Sequence, residues 1–261
     1  MRRAHTDFID AGAQVIIANT YSVVPFHLGD ERFAERGAEL ADLAGRLARE
    51  AADAAGHPVR VAGSLPPLFG SYEPELFRPD DAPPLWDVLY EAQAPYVDFW
   101  IGETVSSIAE AEAIIATVDR GDASAELWMS FTVPDDPPGA EVRLRSGETI
   151  AAAVEAVGDR VGAILFNCSP PEAITVALGH VHDALGDNPG QVRVGAYANA
   201  FEPKEEGYAA NAVVLDRRKE LTPESYRNTC ADWVGAGASI IGGCCEMYPE
   251  HIEALTALAN R

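Results

Sequence analysis

Val161-Gly162-Ala163-Ile164-Leu165-Phe166-Asn167-Cys168 runs apolar almost without interruption, then stops on an amide and a thiol. A strand covered on both faces must be apolar at successive positions, whereas a strand with one wet face alternates. The run therefore predicts a buried parallel strand whose C-terminal end delivers Asn167 and Cys168. Six further runs share this character, at 15–18, 59–62, 97–101, 127–131, 192–197 and 239–241.

Helical patterns lie between the runs. Over 33–55, Leu40, Leu43, Leu47 and Ala51 recur three and four apart, and Gly56 and Pro58 close the helix. Ser107 with Glu110 reads as a capping box, opening a helix with Ile108, Ala111, Ile115 and Val118 on one face. Thr222-Pro223 reads as an N-cap followed by proline at the first helical position, ahead of a stripe of Tyr226, Cys230, Trp233 and Val234. Repeated strand–helix units predict a parallel α/β fold, and no composition break marks a second domain. The chain has 261 residues. A strand–helix barrel needs about 250, so residues 1–261 read as one barrel-type domain.

Three connections are long, at 65–85, 132–148 and 198–221, and each leads from a strand to a helix. In a parallel barrel all such loops gather on the face where active sites form. The first is rich in proline and carries Phe69, Tyr72 and Phe77. It reads equally as a lid and as a proline-stiffened surface loop.

Composition removes several function classes. Lys and Arg number 19 against 41 Asp and Glu, a net charge of −22. So acidic a surface repels nucleic acid and anionic membranes. No stretch of about 18 apolar residues predicts a transmembrane helix. The opening residues lack the apolar core of a signal peptide, so a cytoplasmic location is expected. Four cysteines make no disulfide framework.

The cysteines carry the chemistry. Cys168 ends one strand, and Ile241-Gly242-Gly243-Cys244-Cys245 ends the last. In one barrel these three thiols emerge on the same face. Three thiolates at one point suit Zn²⁺, and three protein ligands leave a fourth position open, the pattern of a catalytic site. Gly242 and Gly243 are expected to let the backbone bend sharply beside the metal. Cys230 sits on an apolar helical stripe and reads as a packing residue. All six histidines read as surface residues, His251 among them at the start of the last helix.

These residues resemble a known family. Asn167-Cys168, Gly242 to Cys245, and Tyr248-Pro249-Glu250-His251-Ile252 look like the homocysteine S-methyltransferase family, which includes betaine–homocysteine methyltransferase. Other segments match in order: 8–13 with 18–21, 61–67, Glu103-Thr104, 130–132 and 196–200, where the family usually has proline in place of Ala198. The resemblance implies a TIM-type (β/α)₈ barrel that moves a methyl group onto the sulfur of homocysteine. It implies Zn²⁺ held by Cys168, Cys244 and Cys245, with the substrate thiol in the open position. It supports Glu103 as the partner of the substrate ammonium group. Asn19, Ser64 and Asn199 stand at strand ends as candidates for substrate contact or loop bracing, and Asn167 as a candidate to orient a ligand cysteine; all four read equally as satisfied turn polar groups. Beyond the metal site no separate catalytic residue is implied.

The resemblance fails at the N-terminus. The family opens with a strand and an Asp-Gly-rich loop, and nothing comparable precedes the first helix here. Seven strands are expected where the barrel needs eight, so the fold reads as a barrel lacking its first strand. An unclosed barrel has two edges liable to pair. The chain then reads as truncated or mis-started, as completed by another chain such as a second copy covering the edge, or as a domain that has lost turnover. The leading expectation is a methyltransferase using S-methylmethionine, S-adenosylmethionine or a betaine-like onium donor. The alternative is a zinc- and thiol-binding barrel without turnover.

Overall fold

The computed structural model describes residues 1–135, 141–186, 192–202 and 215–259. Seven strands are present among them: β1 (Val15–Ile17), β2 (Arg60–Leu65), β3 (Phe99–Val105), β4 (Leu127–Phe131), β5 (Ala163–Asn167), β6 (Arg193–Ala198) and β7 (Ile240–Gly243). Every apolar run yields its strand. The helices are α1 (Arg2–Asp10), α2 (Pro25–Leu28), α3 (Asp30–Asp53), α4 (Ala82–Gln93), α5 (Ile108–Asp122), α6 (Ile150–Val157), α7 (Pro171–Leu185), α8 (Pro223–Gly235) and α9 (Pro249–Ala259).

The strands pair in chain order from β1 to β7, each parallel to the next. A sheet so ordered, with a helix after each strand, curls into a barrel. Phe99, Ile101, Trp128, Leu165 and Tyr197 fill the inner face, while a larger core joins the outer face to the helices. The curl stops one strand short. Val15 and Ile17 of β1 and Ile240 and Ile241 of β7 border the same cavity of about 840 Å³, with Trp128 and Leu165 at its back. Among the described residues the fold is a TIM-type barrel without its first strand.

One bracket crosses the floor of the barrel. Glu126, just before β4, accepts from Arg60 of β2 at 2.6 Å and from Arg193 of β6 at 2.5 Å. The Arg60 guanidinium lies 4.2 Å from the Phe99 ring centre, and that of Arg193 lies 4.7 Å from Trp128. Alternate strands are thereby tied together across the inside, as barrel layers are.

The helix starts follow their local chemistry. Ser107 accepts from Glu110 N–H at 3.2 Å, and Glu110 accepts from Ser106 N–H at 2.8 Å, one residue before the reciprocal partner of a standard box. Thr222 caps α8 by accepting from Ser225 N–H. Helix α3 departs from expectation. Its buried side is Gly37, Ala41, Ala44, Gly45, Ala48 and Ala51, while Leu43 is exposed and Leu40 and Leu47 are half-buried. Close approach decides this: a Cβ on Gly45 would meet the Tyr96 ring at 2.9 Å, so small residues face inward. Two histidines also correct the surface assignment, since His5 is buried under α1 and His251 has no exposed surface.

Candidate metal centre and active site

The exit of β6 carries both cysteine turns. Cys168, directly after β5, donates its N–H to Tyr197 O at 3.3 Å. Cys244, directly after β7, donates to Ala198 O at 2.8 Å, and Ala200 N–H donates back to Cys245 O at 3.0 Å. The turns thus bring together thiols far apart in sequence. Cys168 Sγ lies 3.5 Å from Cys245 Sγ, Cys244 Sγ lies 3.9 Å from Cys245 Sγ, and all three sulfurs fall within 4.8 Å of one another. Cys168 sits at φ 49° and Glu246 at φ 61°, the left-handed region that costs a side-chain-bearing residue about 1–3 kcal/mol. The sharp bend therefore falls on Glu246 and not on the glycines. Gly243 is needed for a different reason, since a Cβ there would meet Met247 Cβ at 2.6 Å.

Two amides turn to the sulfurs. Asn167 Nδ2 lies 3.9 Å from Cys244 Sγ, and Asn199 Nδ2 lies 3.9 Å from Cys168 Sγ. Asn167 is itself fixed: its Oδ1 accepts from Thr104 N–H at 3.0 Å and Ser130 Oγ at 2.8 Å, and its Nδ2 donates to Thr104 Oγ1 at 2.8 Å. Asn199, expected at the substrate, is set against a sulfur as Asn167 is. Asn19 stands apart from this group, on the wall of the cavity between β1 and β7.

The carboxylate beside the thiols owes its aim to a bulge. The β3–β4 register shifts between Gly102 and Val105, and Thr104 lies at φ 58° within the shift. Bulges re-aim side chains next to active sites. Here Glu103 is the one residue of β3 not fully buried. Ser64 Oγ donates to Glu103 Oε2 at 2.8 Å. Burial raises the Glu103 carboxyl to about 7, the Ser64 hydrogen bond opposes this, and the charge of Cys168 adds to it. Ser64 is held in turn by Gln93, which bonds its N–H and its C=O, both at 3.1 Å.

The first long loop enters the barrel mouth. Leu68 and Ser71 are buried, Trp86 Nε1 donates to Pro66 O at 2.9 Å, and the Tyr21 hydroxyl bonds Ser71. Tyr72, at φ 72°, places its hydroxyl 3.0 Å from Cys168 Sγ. From the second long loop, the Arg145 guanidinium lies 4.7 Å from the Tyr72 ring centre and pairs with Asp135 at 2.8 Å. Residues 136–140 and 203–214 of the second and third loops lie outside the described residues.

The donor set fits a zinc ion. Tetrahedral zinc with Zn–S near 2.3 Å needs sulfurs about 3.8 Å apart, within the spread found here. Hydrogen bonding to Cys168, with burial, raises the Cys244 and Cys245 thiols well above their usual range. Protons therefore stay on Cys244 and Cys245 until a cation replaces them. Cys230 is separate, buried on α8, and burial pushes its thiol up to about 12. Sequence reasoning missed Tyr72, Gln93, Tyr226 and the buried state of His251. Tyr72 carried one signal, its place on the proline-rich loop, and His251 another, its place shortly after the paired cysteines.

A parallel barrel whose mouth brings three thiols together beside a carboxylate defines the class of barrel enzymes with a site at the strands' C-terminal ends. The chain belongs to the homocysteine S-methyltransferase family, whose profile matches residues 1–259. It is 29% identical to a homocysteine S-methyltransferase of Escherichia coli over 98% of this chain and 83% of that one. It is 26% identical to a betaine-homocysteine S-methyltransferase of Drosophila melanogaster over 97% and 81%. The apo crystal structure of an Escherichia coli homocysteine methyltransferase superposes with a TM-score of 0.68 at 26% identity, covering 98% of this chain and 84% of that one. The protein is a methyltransferase by this membership. Among the described residues no helix is long and apolar enough to cross a membrane.

Proposed function

We propose that the chain transfers a methyl group from an onium donor to the thiol of homocysteine, with Cys168, Cys244 and Cys245 holding a zinc ion. The observation that carries this is the convergence of three sulfurs within 4.8 Å beside Glu103. Zinc bound by three thiolates offers a fourth position and favours the thiolate form of a substrate thiol there.

The chain's own residues do the rest. Glu103 holds the substrate ammonium group, and the incoming positive charge drives its carboxyl to the ionised form. Ser64, locked by Gln93, fixes the carboxylate that makes this contact. Asn167 and Asn199 donate to sulfur, which steadies Cys244 and Cys168 in their aim. Tyr72 covers the Cys168 thiol and keeps water from that side of the cluster. A sulfonium or ammonium donor suits a mouth lined by carboxylate and phenol groups.

The test is methyl transfer to homocysteine from S-methylmethionine, S-adenosylmethionine and betaine, each with and without zinc. Zinc-dependent methionine formation from one of them supports the reading. Bound zinc with no transfer from any donor overturns it in favour of a thiol-binding barrel without turnover.

A further inference from the structure

We propose that His251 is a positioning residue that clamps the exit of the cysteine turn, holding Cys244 and Cys245 at the spacing zinc takes. This rests on the zinc reading above and names a residue that reading does not use.

The turn is held at three points. At its entry, Tyr226 Oη donates to Gly242 O at 2.6 Å and accepts from Ala198 N–H at 3.1 Å, tying the ends of β6 and β7. At its middle, Ala200 N–H donates to Cys245 O. The backbone then reverses through Glu246 at φ 61°, with Met247 N–H donating to Cys244 O at 3.2 Å. At its exit, Tyr248 N–H donates to His251 Nδ1 at 3.1 Å.

The second ring nitrogen reaches another segment. A neutral imidazole accepts at one nitrogen and donates at the other. Nε2 lies 3.1 Å from Leu221 O, to which a protonated Nε2 donates, and 2.9 Å from Arg217 Nη2, so the second nitrogen meets a carbonyl and a guanidinium of the same segment. Arg217 Nη2 reaches the same carbonyl at 3.3 Å, and its guanidinium lies 5.0 Å from the Tyr248 ring centre. The ring therefore bolts the exit of the cysteine turn to the end of the third long loop. Its edge packs against Tyr226, the residue that holds the entry, with ring centres 6.3 Å apart.

The geometry gives this bolt a metal-directed consequence. Glu246 occupies a backbone region it leaves unless its neighbours prevent it. Freeing Tyr248 N–H, three residues after Cys245, relaxes the reversal at Glu246, and the sulfur spacing widens with it. Partners that orient metal ligands typically contribute 10–100-fold to metal affinity.

Two variants test it, His251→Phe and His251→Asn. The first keeps ring volume and loses both hydrogen bonds. The second keeps an acceptor for Tyr248 N–H and loses the reach to Leu221. Zinc release to a chromogenic chelator and, in metal-free protein, the rate of thiol labelling by an aromatic disulfide are measured well below the melting temperature. The expected result is about tenfold faster zinc release and faster labelling in His251→Phe, with most of both recovered in His251→Asn. Wild-type rates in both variants overturn the proposal, as does a change in both that follows only the fall in melting temperature. If His251→Phe does not fold, His251→Asn is compared with Arg217→Leu, which leaves Tyr248 N–H bonded, and loss of zinc in Arg217→Leu alone overturns it. Absence of zinc from the wild type sinks the functional reading instead, and the labelling rates still decide the clamp.

Discussion

The Tyr72 hydroxyl stands 3.0 Å from the sulfur of Cys168 across 96 residues of chain. A phenol at that distance donates to a thiolate, and charge-assisted bonds of this kind are the strong ones. Arg145, stacked on the ring and paired with Asp135, holds the phenol there. Tyr72→Phe is expected to lower zinc affinity about tenfold with little loss of stability. Competition with a chelator, beside a thermal melt, measures both.

The cysteines divide into two kinds. Cys168→Ser and Cys245→Ser are expected to lose zinc and methyl transfer together. Cys230→Ser keeps the metal, because Cys230 is buried on α8 away from the cluster. Its cost is confined to stability, about 1 kcal/mol for a hydroxyl placed in an apolar site. Metal analysis of the purified variants separates the two groups.

Glu103 sets a pH dependence with two signs. Its carboxyl sits at about 7, above the ordinary range. The folded protein therefore favours the protonated form, a stabilisation present at low pH and lost as pH rises through about 7. Binding of an ammonium group needs the ionised form and strengthens over the same interval. Glu103→Gln should melt higher at pH 8 by about 1 kcal/mol, discounted for solvent at the mouth. It should also flatten the pH profile of homocysteine affinity. A calorimetric pH series on both proteins provides the comparison.

Asn167 is a structural commitment as well as a sulfur partner. Asn167→Ala leaves Thr104 N–H and the Ser130 hydroxyl without their acceptor in a fully buried site. Each orphaned group costs about 1–3 kcal/mol, so a loss of about 2–5 kcal/mol is expected in denaturant unfolding. Asn167→Asp, which keeps the acceptor, should lose less at low pH.

The strands were legible because burial on both faces leaves a continuous apolar signature in each. The convergence of Cys168, Cys244 and Cys245 was legible because parallel topology puts every strand end on one face. Other features depend on contacts that a linear pattern does not carry. The inward side of α3 is set by the Tyr96 ring against Gly45, so its alanines face in and its leucines do not. The aim of Glu103 follows from a register shift in β3. Tyr72 is placed by a left-handed residue in a loop, with no periodicity to announce it. His251 reads as a surface residue because nothing in its local pattern shows the Leu221 carbonyl arriving from the other side.

The floor bracket of Arg60, Glu126 and Arg193 bears on how an unclosed sheet keeps its radius. A closed ring of strands fixes its own circumference through hydrogen bonds, and this sheet has a gap in that ring. The two arginines pull β2 and β6 toward one carboxylate on the threshold of β4, so the arc is drawn inward from the opposite side. The floor charges and the sulfurs thus sit at opposite ends of one sheet, with β6 carrying Arg193 at its start and both cysteine turns at its exit. High salt, by screening these part-exposed pairs, is expected to loosen the arc at its open side before the sheet itself gives way.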